Sequence, residues 1–132
     1  MNRLILGTSA VAEPFWEATK QQKFMLQFCT GTGKAIWYPR NFSPYDLNAG
    51  VEWREVEANG TVYAVSVMHR PGNPAMVEAV PYVVALVDLD EGVRLMSNVV
   101  NCDPDSVKVG DRVKLAWEPI AEGRHLPVFE LA

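Results

Sequence analysis

The sequence contains few of the side chains that most often carry catalysis or bind metals. Its 132 residues include only two cysteines and two histidines. The cysteines, Cys29 and Cys102, lie far apart in the chain, so no disulfide framework is indicated and a reduced, cytoplasmic protein is expected. The apolar run at residues 4–6 is far too short for a signal peptide or a membrane span, so neither is predicted.

The sequence also lacks an excess of basic residues. Twelve lysines and arginines face sixteen aspartates and glutamates, which gives a formal net charge of −4. An acidic chain repels a phosphate backbone, so nucleic acid is an unlikely partner, although a local basic patch stays open. There is no internal repeat, and the length suits one compact domain with a small appendage.

The most apolar stretch predicts a β-hairpin. Residues 82–87 form an unbroken run rich in β-branched side chains, which is typical of a strand covered on both faces. Residues 88–92 supply turn chemistry with Gly92, and residues 93–98 alternate between apolar and polar. A hairpin this apolar is not stable alone, so neighbouring segments must cover it.

The region before the hairpin predicts a helix and smaller β elements. Glu13 and Pro14 suit the first turn of a helix over residues 13 to about 23. Residues 24–28 and 35–38 alternate as two strands around a glycine-rich turn. The proline-rich segment that follows cannot pair far into a sheet. We therefore predict two parts, residues 1–48 and residues 49–132.

The second part predicts a small closed barrel. Its predicted strands are residues 51–56, 61–69, 82–87, 93–98 and 112–117, with room for a short edge piece at 127–131. Five strands with a break between the fourth and fifth match an OB-fold best, because an immunoglobulin-like sandwich has about seven. The loop over residues 70–79 is longer than most hairpin connections and is a candidate binding loop.

Several short motifs, in their order and spacing, carry a resemblance to a known family. They are PFWEA at residues 14–18, GTVY at 60–63, PYVVALV at 81–87, DEGV at 90–93 and VGDRV at 109–113. Together they resemble the acyl-CoA-associated OB-fold proteins that carry a rubredoxin-like zinc ribbon before the barrel. The resemblance implies a mainly β protein: a five-stranded OB-fold barrel preceded by a short helix and a ribbon-like hairpin.

The ribbon departs from the family pattern at its metal ligands. The family has Cys-x-x-Cys-Gly followed by Pro-Arg-x-x-Cys-Pro-x-Cys, which supplies four thiolates to a structural zinc. In this sequence the corresponding positions are Cys29, Thr32, Ser43 and Asp46. Hydroxyl groups are weak ligands and only one thiolate remains, so we predict a degenerate ribbon with no zinc.

A structural zinc contributes on the order of ten kcal/mol to the folding of a small ribbon, so its loss has to be offset. Burial of large apolar side chains, worth roughly 1.5 to 3 kcal/mol each, is an available substitute. We hypothesise that an aromatic cluster fills this role. Its members are Phe24, Leu26, Phe28, Ile36, Trp37, Phe42, Tyr45 and Leu47.

No catalytic constellation is indicated. His69 or His125 would need a carboxylate from the predicted turn at residues 88–91 to act as a general base, and a solvated turn is the simpler interpretation. Cys102 lacks a cationic neighbour that would lower its pKa. We therefore predict no catalytic residues and no resident cofactor.

The resemblance implies an accessory subunit that assembles with a thiolase-like or other acyl-CoA enzyme and helps it to bind the CoA thioester. For contact with CoA phosphates the candidates are Lys34, Arg40 and Arg70, and a solvated surface is the alternative. For stacking on adenine they are Trp37 and Tyr38, with core packing as the alternative. Phe15 or Trp16 could anchor the partner or pack on their own domain.

Two other functions stay open from the sequence alone. An OB-fold that binds single-stranded nucleic acid would need a basic groove with exposed aromatic side chains, which the acidic balance disfavours. A free-standing enzyme would need activity from this chain by itself.

Overall fold

The computed structural model describes residues 3–4 and 7–132. It contains one α-helix, four short 3₁₀-helices and eight strands within those residues. The α-helix is α1 (Glu13–Thr19), and the strands are β1 (Phe24–Cys29), β2 (Ala35–Ile36), β3 (Val51–Val56), β4 (Gly60–Met68), β5 (Tyr82–Leu89), β6 (Arg94–Val99), β7 (Arg112–Pro119) and β8 (His125–Leu131). The 3₁₀-helices are Ala10–Ala12, Pro74–Ala79, Pro104–Ser106 and Ala121–Gly123. None of the helices in these ranges is long and apolar enough to cross a bilayer.

Five strands close into a barrel in the order β4-β5-β6-β8-β7, which confirms the predicted OB-fold. The β4, β5 and β6 strands pair antiparallel along their lengths, as do β7 and β8. The two remaining seams are short: β4 pairs with β7 only at Gly60 and Thr61, and β6 joins β8 through one parallel pair. The barrel is thus two extended ladders joined by two narrow contacts.

The membership of the barrel differs from the prediction at two strands. Strand β3 was expected to be the first barrel strand, but it lies in a separate sheet with the order β2-β1-β3. The fifth barrel strand is instead β8, which was expected to be only an edge piece. An alternating pattern fixes which side chains share a face and not which strand is the neighbour, so both strands satisfy it. The division at residues 48 and 49 stays a prediction, and β3 lies after it while pairing with a strand before it.

Helix α1 is shorter than predicted because a residue in the left-handed conformation ends it. Gln22 has a φ of +56°, the left-handed conformation found just after many helices. The Lys23 amide donates to the Ala18 carbonyl at 3.1 Å, and the Gln22 amide donates to the Thr19 carbonyl at 2.9 Å. These two bonds form a Schellman motif, which turns the chain directly into β1.

One continuous core links the helix, the small sheet and the barrel. Phe15 from α1 and Phe24 from β1 are buried in the same cluster as the inward-facing side chains of the barrel. The Phe24 ring lies 6.5 Å from that of Trp117 on β7. The small sheet therefore meets the barrel at the Phe24 end of β1, beside the end of β7.

Candidate functional site: an exposed finger beside the barrel

Residues 24–56 form a finger that projects from the barrel. Strands β1 and β3 pair antiparallel from Phe24 opposite Val56, at the barrel, to Cys29 opposite Val51, at the far end. Beyond Cys29 lie two turns, residues 29–34 and 43–50, which we call the finger tip. The tip is closed by Thr30 and Gly50, whose backbone and hydroxyl groups exchange hydrogen bonds of 3.0 to 3.2 Å.

The finger tip contains the four positions that the sequence resemblance identified as degenerate zinc ligands: Cys29, Thr32, Ser43 and Asp46. Cys29 and Ser43 are fully buried, and the Thr32 amide donates to Cys29 Sγ at 3.4 Å. A Cβ atom placed on Gly31 would lie 2.9 Å from Asp46 Oδ2, so the carboxylate of the second turn sits against the backbone of the first. The four predicted positions therefore lie on two turns that face each other, while the zinc-ribbon origin of the finger remains a prediction.

Polar groups of both turns act on the Cys29 thiol. The side chain of Ser43, then that of Thr32, lowers the pKa of the Cys29 thiol from 9.0 to about 7, with help from the Thr32 and Gly31 backbone amides and against the effect of burial. Ser43 Oγ also accepts the amides of Tyr45 at 3.1 Å and Asp46 at 3.3 Å. The tip is therefore a polar cluster centred on one sulfur atom.

These donors do not fit a zinc ion. Zinc sites in proteins use thiolates, imidazoles and carboxylates, and this tip offers one sulfur, two hydroxyls and one carboxylate. Asp46 Oδ1 already accepts the Asn48 amide at 3.0 Å. Nowhere in residues 3–4 and 7–132 do three His, Cys, Asp or Glu side chains group as a metal site would require.

The hypothesis that an aromatic cluster takes the place of the metal is wrong for part of its members. Phe24, Leu26 and Ile36 are buried, and Phe28 and Trp37 pack against the core. The remaining three point outward: Phe42 is 60% exposed, Tyr45 49% and Leu47 76%. Phe42 directly precedes the second turn and the other two lie within it, where the backbone, interrupted by proline, forms no strand that could bury them.

Tyr38, which is 67% exposed, is a fourth large apolar side chain of this segment that faces solvent, and we call the four residues Tyr38, Phe42, Tyr45 and Leu47 the apolar strip. Four large exposed apolar side chains within ten residues mark an interaction surface more often than chance exposure does. Of these four residues, only Tyr38 was predicted from the sequence to have a functional role. The prolines at positions 39 and 44 were the available signal that this segment stays outside the core.

Four of the five residues predicted to contact CoA lie on the finger. Lys34 is exposed, with its ammonium 5.2 Å from the centre of the Tyr45 ring. Arg40 is exposed, and its backbone is held by the buried Gln27 side chain, which accepts from the Arg40 amide at 2.7 Å and donates to its carbonyl at 2.9 Å. Neither cation is ion-paired with a carboxylate in the part of the chain that the structure describes.

Trp37 and Tyr38 differ in their availability. The Trp37 ring has three aromatic neighbours, Phe15, Phe24 and Tyr38, at 5.5 to 5.9 Å between centres. Trp37 therefore packs with the core, which was the alternative to ligand stacking. Tyr38 is exposed and is better placed to stack on a ligand.

Arg70 lies apart from the finger. Strand β4 runs antiparallel to β7 from Gly60 opposite Val113, so the loop after Met68 is at the end of the barrel away from Pro119. The finger and α1 meet the barrel beside the Pro119 end of β7. The strand directions therefore place Arg70 at the other end of the barrel from the finger. It does not share a cleft with Lys34 and Arg40, as had been expected.

The two predicted partner anchors have different environments. Phe15 is 4% exposed and packs edge-on against the rings of Trp16, Phe24 and Trp37, which leaves it no surface for a partner. Trp16 is half-buried, with the Arg124 guanidinium 5.9 Å from its ring.

The histidines do not form a catalytic pair with a carboxylate among the described residues. His69 is exposed at the end of β4, and His125 Nδ1 lies 2.8 Å from the Thr19 carbonyl. The acids near the β5 to β6 turn pair with arginines instead: Asp88 with Arg94 at 2.6 Å and Asp90 with Arg112 at 2.8 Å. The hydrogen bond from Arg112 lowers the pKa of Asp90, as expected for an ion-paired surface carboxylate.

Comparison with known proteins places the whole chain beside one group of OB-fold proteins. The family model described as "ChsH2, C-terminal OB-fold domain" matches residues 53–118. A DUF35 domain-containing scaffold protein of Methanothermobacter thermautotrophicus is 33% identical over 95 residues, covering 71% of each chain. A probable enoyl-CoA hydratase alpha subunit of Thermomonospora curvata is 41% identical over 122 residues, which are 89% of this chain but only 37% of that protein.

Solved structures show the same architecture. A chain of the Ltp2-ChsH2(DUF35) aldolase superposes with a TM-score of 0.84 at 32% identity, covering 96% of this chain and 98% of that one. A DUF35 protein of Sulfolobus solfataricus superposes with a TM-score of 0.66 at 17% identity, which supports the fold alone.

Proposed function

Because the chain belongs to the DUF35 family of OB-fold proteins, we propose that it is a non-catalytic accessory subunit of a complex that processes acyl-CoA thioesters. Relatives are described as scaffold proteins, as the alpha subunit of a hydratase and as part of an aldolase. The chain spans 37% of the hydratase relative, so that protein's activity belongs to a longer polypeptide.

The observation that carries the proposal is the apolar strip on the finger. A free monomer gains nothing from holding Tyr38, Phe42, Tyr45 and Leu47 in water, whereas a subunit gains by burying them. Burial of each large side chain in an interface is worth roughly 1.5 to 3 kcal/mol. Lys34 and Arg40 adjoin the strip with no acidic residue between positions 30 and 45, so the complementary surface is apolar with an acidic rim.

A finer proposal concerns the CoA thioester. The exposed Tyr38 ring and the exposed cations Lys34 and Arg40 lie within seven consecutive residues of the finger. A planar ring with two cations that form no ion pair among the described residues suits the adenine and phosphates of CoA. Because these residues border the strip, we propose that CoA is held between the finger and the partner rather than by this chain alone. Arg70 is left out of this site.

The identity of the catalytic partner is also a proposal. The described relatives point to a hydratase or an aldolase, and a thiolase-like enzyme is the further class that the family resemblance implies. A cytoplasmic location remains an expectation. The nucleic-acid alternative is disfavoured further because Arg94 and Arg112 on the barrel are paired with carboxylates.

Co-purification tests the proposal. The chain is co-expressed with a candidate hydratase or aldolase subunit from the same genome, and the assembly is measured by size exclusion with light scattering. We expect one hetero-oligomeric peak, lost in the double variant Phe42→Ser/Leu47→Ser. The matched control is Val109→Ser, because Val109 is also 67% exposed but lies in the loop before β7, away from the finger.

Two outcomes would contradict the proposal. One is separate elution of wild-type protein and enzyme with the enzyme fully active alone. The other is an equal effect of the control and the strip variant. For CoA, Arg40→Gln in the intact complex should weaken binding of a non-hydrolysable CoA thioester, whereas Arg70→Gln should not. Equal effects would exclude the finger site without excluding the accessory role.

A further inference from the structure

We propose that the open edge of strand β3 pairs with the same strand of a second copy of this chain, so that two fingers form one six-stranded sheet. The strand order across the two-fold axis is β2-β1-β3-β3-β1-β2, with the two β3 strands antiparallel. This inference concerns self-association of the chain and does not depend on the proposed catalytic partner.

Strand β3 lacks the features that usually protect the edge of a sheet. It pairs with β1 alone, and its register over residues 51–56 is continuous, without a bulge. It contains no proline and no lysine. The opposite edge of the same sheet, β2, has only two residues, and Pro39 follows shortly after it. A regular, unprotected edge of this kind is a template for another strand.

The ladder between β1 and β3 shows which backbone groups of β3 face outward. The Thr30 amide donates to the Gly50 carbonyl at 3.0 Å, so the backbone of Gly50 bonds towards β1. In an antiparallel ladder such bonds recur at every second residue. The neighbouring Cys29 agrees with this alternation, because its amide donates to the Lys34 carbonyl, on the β2 side, at 2.9 Å.

Two sets of residues therefore alternate along β3. The backbone groups of the first set bond to β1, and its members are Glu52, Arg54 and Val56. The backbone groups of the second set face the open edge, and its members are Val51, Trp53 and Glu55. No backbone hydrogen bond within residues 3–4 and 7–132 uses the second set. Its amides and carbonyls are thus available to another strand.

The charges on β3 select one register for a two-fold pair. Outward-facing residues must lie opposite one another, which allows the axis to pass at Glu52, Trp53 or Arg54. An axis at Glu52 or at Arg54 places that residue opposite its own copy, and like charges directly opposite each other are destabilising. An axis at Trp53 places Glu52 opposite Arg54 of the second copy. The two-fold symmetry repeats this favourable pair on the other side of the axis.

The register centred on Trp53 also uses the whole open edge. Trp53 exchanges both of its backbone bonds with its own copy, and Val51 exchanges both with Glu55 of the second copy. The Arg54 guanidinium is already positioned in the single chain, where it lies 4.6 Å from the centre of the Phe28 ring and pairs with Glu52. Pairing of the strands extends this ion pair into a network of two glutamates and two arginines on one face of the sheet.

The first arm of the test measures self-association of the intact chain by sedimentation over roughly a hundredfold range of concentration. We expect a dimer that dissociates on dilution. Arg54→Glu places like charges opposite each other at both pairs and should raise the dissociation constant roughly tenfold or more. Lys108→Glu, an equal charge change in the exposed loop before β7, is the matched control and should leave it unchanged. A wild-type chain that stays monomeric throughout, or an equal effect of the two variants, would overturn the proposal.

The second arm mixes two variants. Glu52→Arg also places like charges opposite each other, so it should dimerise as poorly as Arg54→Glu. In an equal mixture of the two, opposite charges meet at both pairs, so a heterodimer should form at concentrations where each variant alone is monomeric. Circular dichroism establishes that each variant is folded. Two folded variants that do not associate on mixing would contradict the proposal.

The third arm locates the interface by hydrogen exchange of the wild-type chain and needs no variant. In the dimer the outward amides of Val51, Trp53 and Glu55 should be protected, and on dilution they should lose this protection while the inward amides of β3 keep theirs. Exchange of the outward amides that is the same in dimer and monomer would place the contact elsewhere and overturn the proposal. Loss of the dimer in Phe42→Ser/Leu47→Ser together with an intact dimer in Arg54→Glu would do the same, because it assigns self-association to the apolar strip.

Discussion

Thr19 and His125 are joined by two hydrogen bonds across 106 positions of sequence. Thr19 Oγ1 accepts the His125 amide at 3.2 Å, and the Thr19 carbonyl lies 2.8 Å from His125 Nδ1. A carbonyl can only accept, so Nδ1 carries a proton. Thr19 is fully buried and ends α1, while His125 begins β8. This pair fixes the helix, and with it the root of the finger, to the closing strand of the barrel.

Thr19→Val should destabilise the protein by about 1 to 3 kcal/mol, because it removes the acceptor of a partly buried amide while keeping the volume of the side chain. Urea unfolding followed by fluorescence measures this loss. Thr8→Val, which removes an exposed hydroxyl bonded to Glu13, is the control and should change little. Equal midpoints for wild type and Thr19→Val would show that the pair does not support the fold.

A second long-range contact, between the Gln27 side chain and the Arg40 backbone, can be tested by introducing a carboxylate. Gln27 is buried on β1 and uses both ends of its amide on the backbone of Arg40. Gln27→Glu keeps the acceptor but loses the donor, and it places a carboxylate against the Arg40 carbonyl. We expect a loss of about 3 kcal/mol at about pH 8.

The effect of Gln27→Glu should depend on pH with a known sign. Burial and the facing carbonyl raise the pKa of the new carboxyl, and its protonated form can donate to Arg40 as the amide did. An acid with a raised folded pKa loses stability as pH rises, so the deficit against wild type should shrink at about pH 4.5. A pH-independent deficit would indicate a packing defect instead.

The sequence predicted where the strands of this fold lie better than it predicted which strands pair. The apolar run at residues 82–87 and the turn at Gly92 specify a hairpin locally, and β5 and β6 form there. Strand β3 was predicted in the barrel and β8 only as an edge piece, because each has an alternating pattern and only tertiary pairing decides which strand it joins. The parallel contact of Val99 with Phe129 has no local signal at all.

The sequence predicted which positions form the finger tip, but it did not predict which of the finger's side chains are buried. The family's ribbon motif predicted corresponding positions for Cys29 and Ser43, and both side chains are fully buried at the finger tip. Phe42 and Leu47 were predicted to be buried because they are apolar. The hydropathy of a residue is the same whether it is buried or exposed, so it cannot decide between the two. The burial of Gln27 was not predicted because glutamine is polar. A side-chain amide is buried only where it has hydrogen-bonding partners, and here the partner, Arg40, is remote in sequence.

Gly60 marks a close approach in the barrel that tolerates no side chain. A Cβ there would lie 2.5 Å from the Asp88 carbonyl oxygen and 2.7 Å from a Val87 methyl group, on the neighbouring strand. Gly60→Ala should therefore cost about 3 kcal/mol, because backbone cannot move aside as a flexible side chain can. Gly7→Ala, with nothing within 4 Å, should be neutral in the same urea assay. A neutral Gly60→Ala would mean that β4 and β5 separate easily at this pair.

The thiol of Cys29 predicts a stability that rises with pH. Its pKa is lowered from 9.0 to about 7 by the hydrogen bonds of Ser43 and Thr32, so between these two values the folded chain has released a proton that the unfolded chain keeps. The free energy of unfolding of wild type, relative to Cys29→Ser, should therefore increase from pH 7 to pH 9 under reducing conditions, and this contribution should be lost as pH falls through about 7.

The second cysteine provides a control of opposite sign for that pH dependence. Burial raises the pKa of the Cys102 thiol, so its contribution falls as pH rises above the ordinary value of 9.0, when the unfolded chain ionises first. Measuring Cys29→Ser against its parent in a Cys102→Ser background removes this contribution. A flat difference between pH 7 and pH 9 in that background would mean that the donors at the finger tip do not favour the thiolate over the thiol.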